Sequence, residues 1–217
     1  EFIRIISDSQ HNDETQVVIG GDHSVALASI IAQLEKTDKE KFGLIWIDSH
    51  IDLLDSFHSA TKNFIGMFAR VLFYDFENND INLLCPNKIP VTNVLYFGNL
   101  ELNEIEEQFL KDNQITNITR KELLKNKTSV FNKLNNFLLH FDHIHVSFDI
   151  DVFDQSLVQA TGTPSLSGFF AEDIFPILDR VCRHPHISLD LVEVNPQKSG
   201  ASETIALAKK VLLSLLK

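Results

Sequence analysis

Asp48-Ser49-His50-Ile51-Asp52 sets a carboxylate, an imidazole and a second carboxylate at alternate positions. The same spacing recurs in Asp149-Ile150-Asp151, while His23 follows a Gly20-Gly21 pair. Side chains of these types can ligate a divalent cation, or they can cap polar strand-to-helix loops. What precedes them bears on the choice. Five of the six residues over 42–47 are large and apolar, and 143–148 also reads as a strand, so both carboxylate pairs follow segments suited to burial in a parallel sheet. Charged groups at the mouth of a buried strand are costly unless something pairs them. In open α/β sheets the carboxyl ends of the strands are also where ligands sit.

If the strands before these groups are neighbours, two imidazoles (His23, His50) and four carboxylates (Asp48, Asp52, Asp149, Asp151) converge at one edge of the sheet. Like charges that close raise each other's pKa steeply, and two divalent cations would neutralise them. A carboxylate-rich donor set with few imidazoles and no thiolate favours Mn²⁺ over Zn²⁺.

The elements that must position these groups alternate along the chain. Gln16-Val17-Val18-Ile19 reads as a short strand, followed by a glycine turn and an amphipathic helix over 25–34, with Asp22 or Ser24 as its cap. Strands are expected over 42–47, 93–97, 115–118, 143–148 and 187–192. Helices are expected over 63–76, around Leu102 to Leu110, around Val130 to Leu138, and over 171–182 and 202–216. The polar clusters 77–80 and 125–128 read as exposed loops. Alternating β and α elements predict an α/β fold, a three-layer α/β/α arrangement around a mostly parallel sheet, with the metal site at its C-terminal strand ends. No repeat or linker divides residues 1–217, so one domain is expected.

Composition narrows the function. The 217 residues are 44% hydrophobic and carry a net charge of −11, which offers no basic footprint for nucleic acid. Cys85 and Cys182 are two thiols in a large chain, which points to a reducing compartment and no disulfide framework. With no membrane-length apolar run and no signal-peptide pattern, the cytoplasm is the default expectation, with no membrane partner.

Three motifs, Gly20-Gly21-Asp22-His23-Ser24, Asp48-Ser-His50-Ile-Asp52 and Ser147-Phe-Asp149-Ile-Asp151-Val-Phe-Asp154, resemble the metal motifs of the ureohydrolases, the arginase, agmatinase and formiminoglutamase family. Ala160-Thr-Gly-Thr-Pro164 and Leu191-Val-Glu193-Val-Asn-Pro196 resemble its two further signatures, in the same order. The resemblance implies a binuclear Mn²⁺ centre with two ions per chain. His23 and Asp52 would serve one ion, His50 and Asp151 the other, and Asp48 and Asp149 would bridge. It further implies hydrolysis of a guanidino or amidine C–N bond, arginase-like, by a hydroxide held between the ions. Asp52 would orient that hydroxide and carry a proton to the leaving amine, Glu193 would hold the guanidinium, and Thr163 would line the pocket. Asp154 is left to supporting or capping work.

The departures from arginases concern the substrate. Asn63 is retained, but Leu54 stands where arginases bind the amino acid with an asparagine, and Ile65 stands at the position of their proton-shuttling histidine. In Gly98-Asn-Leu-Glu-Leu-Asn103, Asn103 replaces an aspartate that would meet the substrate's amino group, while Glu106 matches a glutamate that arginases keep. His58 lies in the altered loop and could stand in for the shuttle; His140, His143, His184 and His186 read as structural or surface residues. Agmatine, formiminoglutamate or another guanidino acid are therefore alternative substrates, and a metal-binding partner subunit without activity is a further alternative. Only 1–19 precede the first motif, where the family carries more strand and helix. A partial sequence or an open sheet edge is the expectation, and with it apolar surface that favours a homo-oligomer.

Overall fold

The computed structural model describes residues 1–9, 14–59, 61–76, 78–98 and 102–217. In chain order it forms α1 (Phe2–Ser9), β1 (Val17–Ile19), α2 (Val25–Leu34), β2 (Phe42–Ile47), α3 (Arg70–Phe73), α4 (Asn79–Asn82), β3 (Val94–Phe97), α5 (Glu104–Asp112), β4 (Thr116–Ile118), α6 (Arg120–Lys125), α7 (Lys127–His140), β5 (His143–Asp149), α8 (Ala171–Val181), β6 (Ile187–Val192) and α9 (Ala201–Leu215). The strands build one sheet in the order β1-β6-β5-β2-β3-β4. Every pairing is parallel.

β2 shows why the sheet is covered on both sides. All six of its residues are buried. Because side chains alternate across a strand, Phe42, Leu44 and Trp46 enter one core with Ile30 of α2 and Leu72 of α3. Ile45 and Ile47 enter the other, with Leu134 of α7, Ile177 of α8 and Val211 of α9. The three-layer α/β/α expectation holds. α2 spans the predicted residues, and nine of its ten residues are buried.

Three local expectations are corrected. Residues 63–76 do not form one helix. They divide into a 3-10 turn, Phe64–Gly66, and the four-residue α3. Asn63 Oδ1 accepts the Ile65 N–H and starts a tight turn, while Phe64 packs edge-on against Phe76, so tertiary contacts and not a helical period place the aromatics. The predicted loop at 77–80 contains the start of α4, capped by Asn78 Oδ1 accepting from Asp80 N, with Glu77 outside the described residues. In the predicted loop at 125–128, Asn126 alone separates α6 from α7, and its side chain accepts from Ser129 N to begin the second helix.

Cys85 and Cys182 are free thiols, as expected. Among the described residues no helix is long and apolar enough to cross a membrane.

Candidate metal centre

The register of the central strands brings the motifs together. β2 and β5 pair with Trp46 opposite Ser147 and Ile47 opposite Phe148, so Asp48 and Asp149 leave the sheet side by side. On the far side of β5, β6 pairs with β1, and Gly20 N donates to Leu191 O, so the turn carrying His23 opens at the same edge. Gly20 is required there because a Cβ would stand 2.3 Å from Val25 Cγ2. Asp22 Oδ1 accepts from Ser24 N to shape the turn, while Ser24 makes no side-chain cap.

His23 Nδ1 lies 2.9 Å from Asp48 Oδ2, 3.3 Å from Asp149 Oδ2 and 3.4 Å from Asp52 Oδ2. His50 Nδ1 lies 3.1 Å from Asp151 Oδ2 and 3.5 Å from Asp48 Oδ1. Two groups of ligand atoms result, each within 4.8 Å: His23, Asp48 and Asp149, and Asp48, His50 and Asp151. Asp48 turns one oxygen to each group. Although three carboxylate oxygens crowd His23 Nδ1, it makes no hydrogen bond and is a buried orphan. Atoms of these types gathered this closely fit a cation placed between them.

The electrostatics say the same. Burial raises the pKa of Asp149 well above the ordinary carboxylate value, with Asp151 and Asp48 adding to it. Burial also lifts Asp151 to about 7 and Asp52 to about 6, with the Asp48 charge contributing to both. Burial works to lower the two imidazoles, but the carboxylates override it. His50 stands at about 12 and His23 well above its usual value. Asp48 is held below the carboxylate range against its burial by His23 and His50. Without added cations, burial and mutual repulsion favour retained protons on Asp52, Asp149 and Asp151.

Two of these residues sit on strained backbone. Asp52 (φ 54°) and Glu193 (φ 65°) are in the left-handed region, which costs a non-glycine residue on the order of 1 kcal/mol or more and is retained when surrounding structure imposes it. Glu193 N donates to Gly21 O, and Glu193 Oε1 accepts from His23 N at 2.9 Å, tying the signature after β6 to the first turn. Burial raises the Glu193 pKa.

The remaining predicted residues fall around this centre. Thr163 is exposed beside Gly162, where a Cβ would come within 2.8 Å of Glu193 Oε2. Asn63 and Asn103 are exposed and act as caps, Asn103 closing a reciprocal capping box with Glu106 at the start of α5. Asn99, Leu100 and Glu101 of the Gly98–Asn103 segment lie outside the described residues. His58 is exposed and pairs with Asp55 at 2.7 Å. Asp154 Oδ1 accepts from Ser156 N and Oγ, which is capping work. Trp46, Ser147 and Asp190 were not singled out for roles from sequence, yet all three lie in the hydrogen bonds behind the ligands. Polar residues alternating along otherwise buried strands were the available signal.

A family model described as the Arginase family matches residues 3–217. An arginase of Staphylococcus aureus (strain COL) is 32% identical over 200 residues, covering 88% of this chain and 64% of that protein. This chain thus spans about two thirds of that relative's length. Among solved structures, Entamoeba histolytica arginase in complex with L-ornithine superposes with a TM-score of 0.89 at 26% identity, over 99% of this chain and 73% of that one. Bacillus subtilis arginase gives 0.86 at 26% identity, over 99% and 76%. Motifs, sheet and family model coincide over nearly the whole chain, which therefore belongs to the arginase family.

Proposed function

We propose that the chain is a manganese-dependent hydrolase of linear amidines, splitting a guanidino C–N bond, with two Mn²⁺ ions held by His23, Asp48, His50, Asp52, Asp149 and Asp151. The observation that carries the reading is the orphaned, fully buried His23 Nδ1 facing three carboxylates. A cluster of six costly groups has no other rationale in folding. Ions at this place would supply Lewis acidity that acidifies water and offsets charge developing on the amidine.

The protein's own groups have the following tasks. Asp48 orients both imidazoles, one through each oxygen. Asp52, buried beside His23, orients the attacking water and carries a proton to the departing amine. Glu193 holds the planar guanidinium, for which a carboxylate is shaped to form paired hydrogen bonds, and Thr163 lies beside it.

Arginine is the substrate suggested by the relatives' names. The departures at Leu54 and Asn103 keep a second amidine, such as agmatine or formiminoglutamate, as the alternative reading. Leu54 lines a cavity of about 620 Å³ with Asp55, His58, Arg70 and Glu106, and presents an apolar surface there. Asn103, meanwhile, is engaged as a helix cap. The test is release of urea or ammonia from arginine, agmatine and formiminoglutamate at saturating Mn²⁺. Turnover of one of them supports the reading; no turnover of any, together with no Mn²⁺ taken up, would overturn it.

A cytoplasmic homo-oligomer completes the proposal. β1 pairs only with β6 among the described residues, and its Ile19 is 67% exposed. Light scattering that finds a monomer at micromolar concentration would remove this part.

A further inference from the structure

Behind the metal centre, the β5–β6 register stacks polar residues in a layer that is otherwise core. Ser147 pairs with Asp190 and His145 with Ser188. All four are fully buried. They form a continuous chain of hydrogen bonds. His23 Nε2 meets Ser147 Oγ at 2.8 Å, and Ser147 Oγ donates to Asp190 Oδ1 at 2.8 Å. Asp190 Oδ2 meets His145 Nε2 at 2.8 Å, His145 Nδ1 meets Ser188 Oγ at 2.7 Å, and Ser188 Oγ meets His143 Nε2 at 2.8 Å.

The direction of the chain near the metal centre follows from donor counting. A carboxylate only accepts, so the single Ser147 hydroxyl proton goes to Asp190. Ser147 Oγ can then only accept from His23, which fixes the His23 proton on Nε2. Nδ1, the atom facing Asp48, Asp52 and Asp149, is then the ring nitrogen that presents a lone pair once a cation displaces the proton held there. On the other side, His145 Nε2–H fills the second Asp190 oxygen, so neither oxygen is free to turn away.

We propose that Asp190 is a positioning residue for the metal centre: acting through Ser147, it locks His23 in the tautomer and ring orientation that present Nδ1 to one ion. The inference rests on the metal reading above. It differs from a packing role because it favours one ion. His50, the imidazole of the other group, is 31% exposed at its side chain and lies outside the hydrogen-bond chain just described. Nor does the chain conduct protons while His23 is a ligand, because Nδ1 is then occupied and a proton leaving Nε2 could not be replaced from that side.

The experiment is stepwise Mn²⁺ binding to the metal-free full chain, with free Mn²⁺ counted by electron paramagnetic resonance, for the parent, Ser147→Ala, Asp190→Asn and the double variant. Partners one step removed from a metal typically change its affinity by about 10–100-fold. The expected result is that each single variant weakens one binding step by about that factor and leaves the other within about threefold. Because Asp190 acts through Ser147, the double variant should lose no more than Ser147→Ala alone. If Asp190→Asn fails to fold, His145→Phe, which removes the bond to the second Asp190 oxygen and leaves Ser147 in place, should weaken the same single step, and an unchanged step overturns the role of Asp190. A parent that binds two ions, with both steps weakened alike, neither weakened, or losses that multiply in the double variant, overturns the role of Asp190 while leaving the metal reading intact. A parent that binds no Mn²⁺ overturns both.

Discussion

Trp46 Nε1 donates a 2.9 Å hydrogen bond to Asp48 Oδ2, from two residues back on the same face of β2. The indole also stacks on the His23 ring, with centroids 4.7 Å apart and planes 30° from parallel. One core side chain thus braces a carboxylate and an imidazole of the same candidate metal-binding group. A ligand held by a buried ring retains its direction in the absence of its ion, which is the pre-organisation that precise sites need. The position of the group is therefore fixed from the core outward.

The pKa pattern sets a pH dependence. Asp52 and Asp151 are raised to about 6 and about 7, and His50 to about 12. The folded, metal-free chain binds more protons than the unfolded one at all three. Their stabilising contribution is complete below each unfolded value and is lost as pH rises through the folded value. For the two aspartates that window runs from the ordinary carboxylate range up to about 7; for His50 it extends from the ordinary imidazole value to about 12. Divalent ions would take the place of those protons. The gap in Tm between Mn²⁺-saturated and metal-free protein is expected to widen from about pH 5.5 to about pH 8. Calorimetry showing a constant or narrowing gap contradicts this.

Asp149 and Asp154 separate ligation from capping. Asp149→Asn puts a neutral amide among the ligand atoms and should lower turnover by more than about 100-fold, beyond the range typical of residues one step removed. Asp154 serves Ser156, a turn that asparagine can also make, so Asp154→Asn should cost about 1 kcal/mol or less and leave most of the activity. Equal losses in kcat would refute the assignment.

Gly162→Ala probes Glu193 without altering it. The new Cβ would stand 2.8 Å from Glu193 Oε2, while Oε1 is held by His23 N. The carboxylate must shift from its present position. A charged hydrogen bond is worth about 1.5–3 kcal/mol, so kcat/KM should fall by about 10–100-fold with Tm nearly unchanged. An unchanged kcat/KM would separate Glu193 from substrate binding.

Ile65→His restores an imidazole in the turn that Asn63 caps. General acid–base assistance is worth about 10²–10⁴-fold, so kcat on arginine should rise with little change in KM. If no amidine gains while the parent already turns one over briskly, the Ile65 side chain belongs to a pocket rebuilt for that other substrate.

The residues that converge at the candidate centre were legible in sequence because alternation is a local signal: Asp48, His50 and Asp52 are separated only by one residue at a time, after an apolar run. β2 and β5 were legible for the same reason. α2 was found to the residue, since its apolar run lies between a glycine turn and a polar segment. The interval 63–76 was misread because its aromatics are placed by long-range packing, which no helical period encodes. Ser188 and Asp190 alternate along β6 as His145 and Ser147 do along β5, but that local pattern does not name their partners. Ser147, which Asp190 bonds, lies 43 positions away, and only the register joins them.

The sheet order has a kinetic consequence. β2, β5 and β6 lie side by side, though the bond from His23 to Glu193 spans 170 positions of chain. Parallel pairings of such separation form slowly, because loop closure must precede any contact that rewards it. A growing polypeptide that has emerged only as far as the loop after β2 carries His23, Asp48, His50 and Asp52 but neither Asp149 nor Asp151. During synthesis at about 5–20 residues per second, many seconds pass before β6 can dock beside β5. Tight capture of two ions would thus report the end of folding and not its beginning, and metal supplied early would meet an acidic, unpaired half-site.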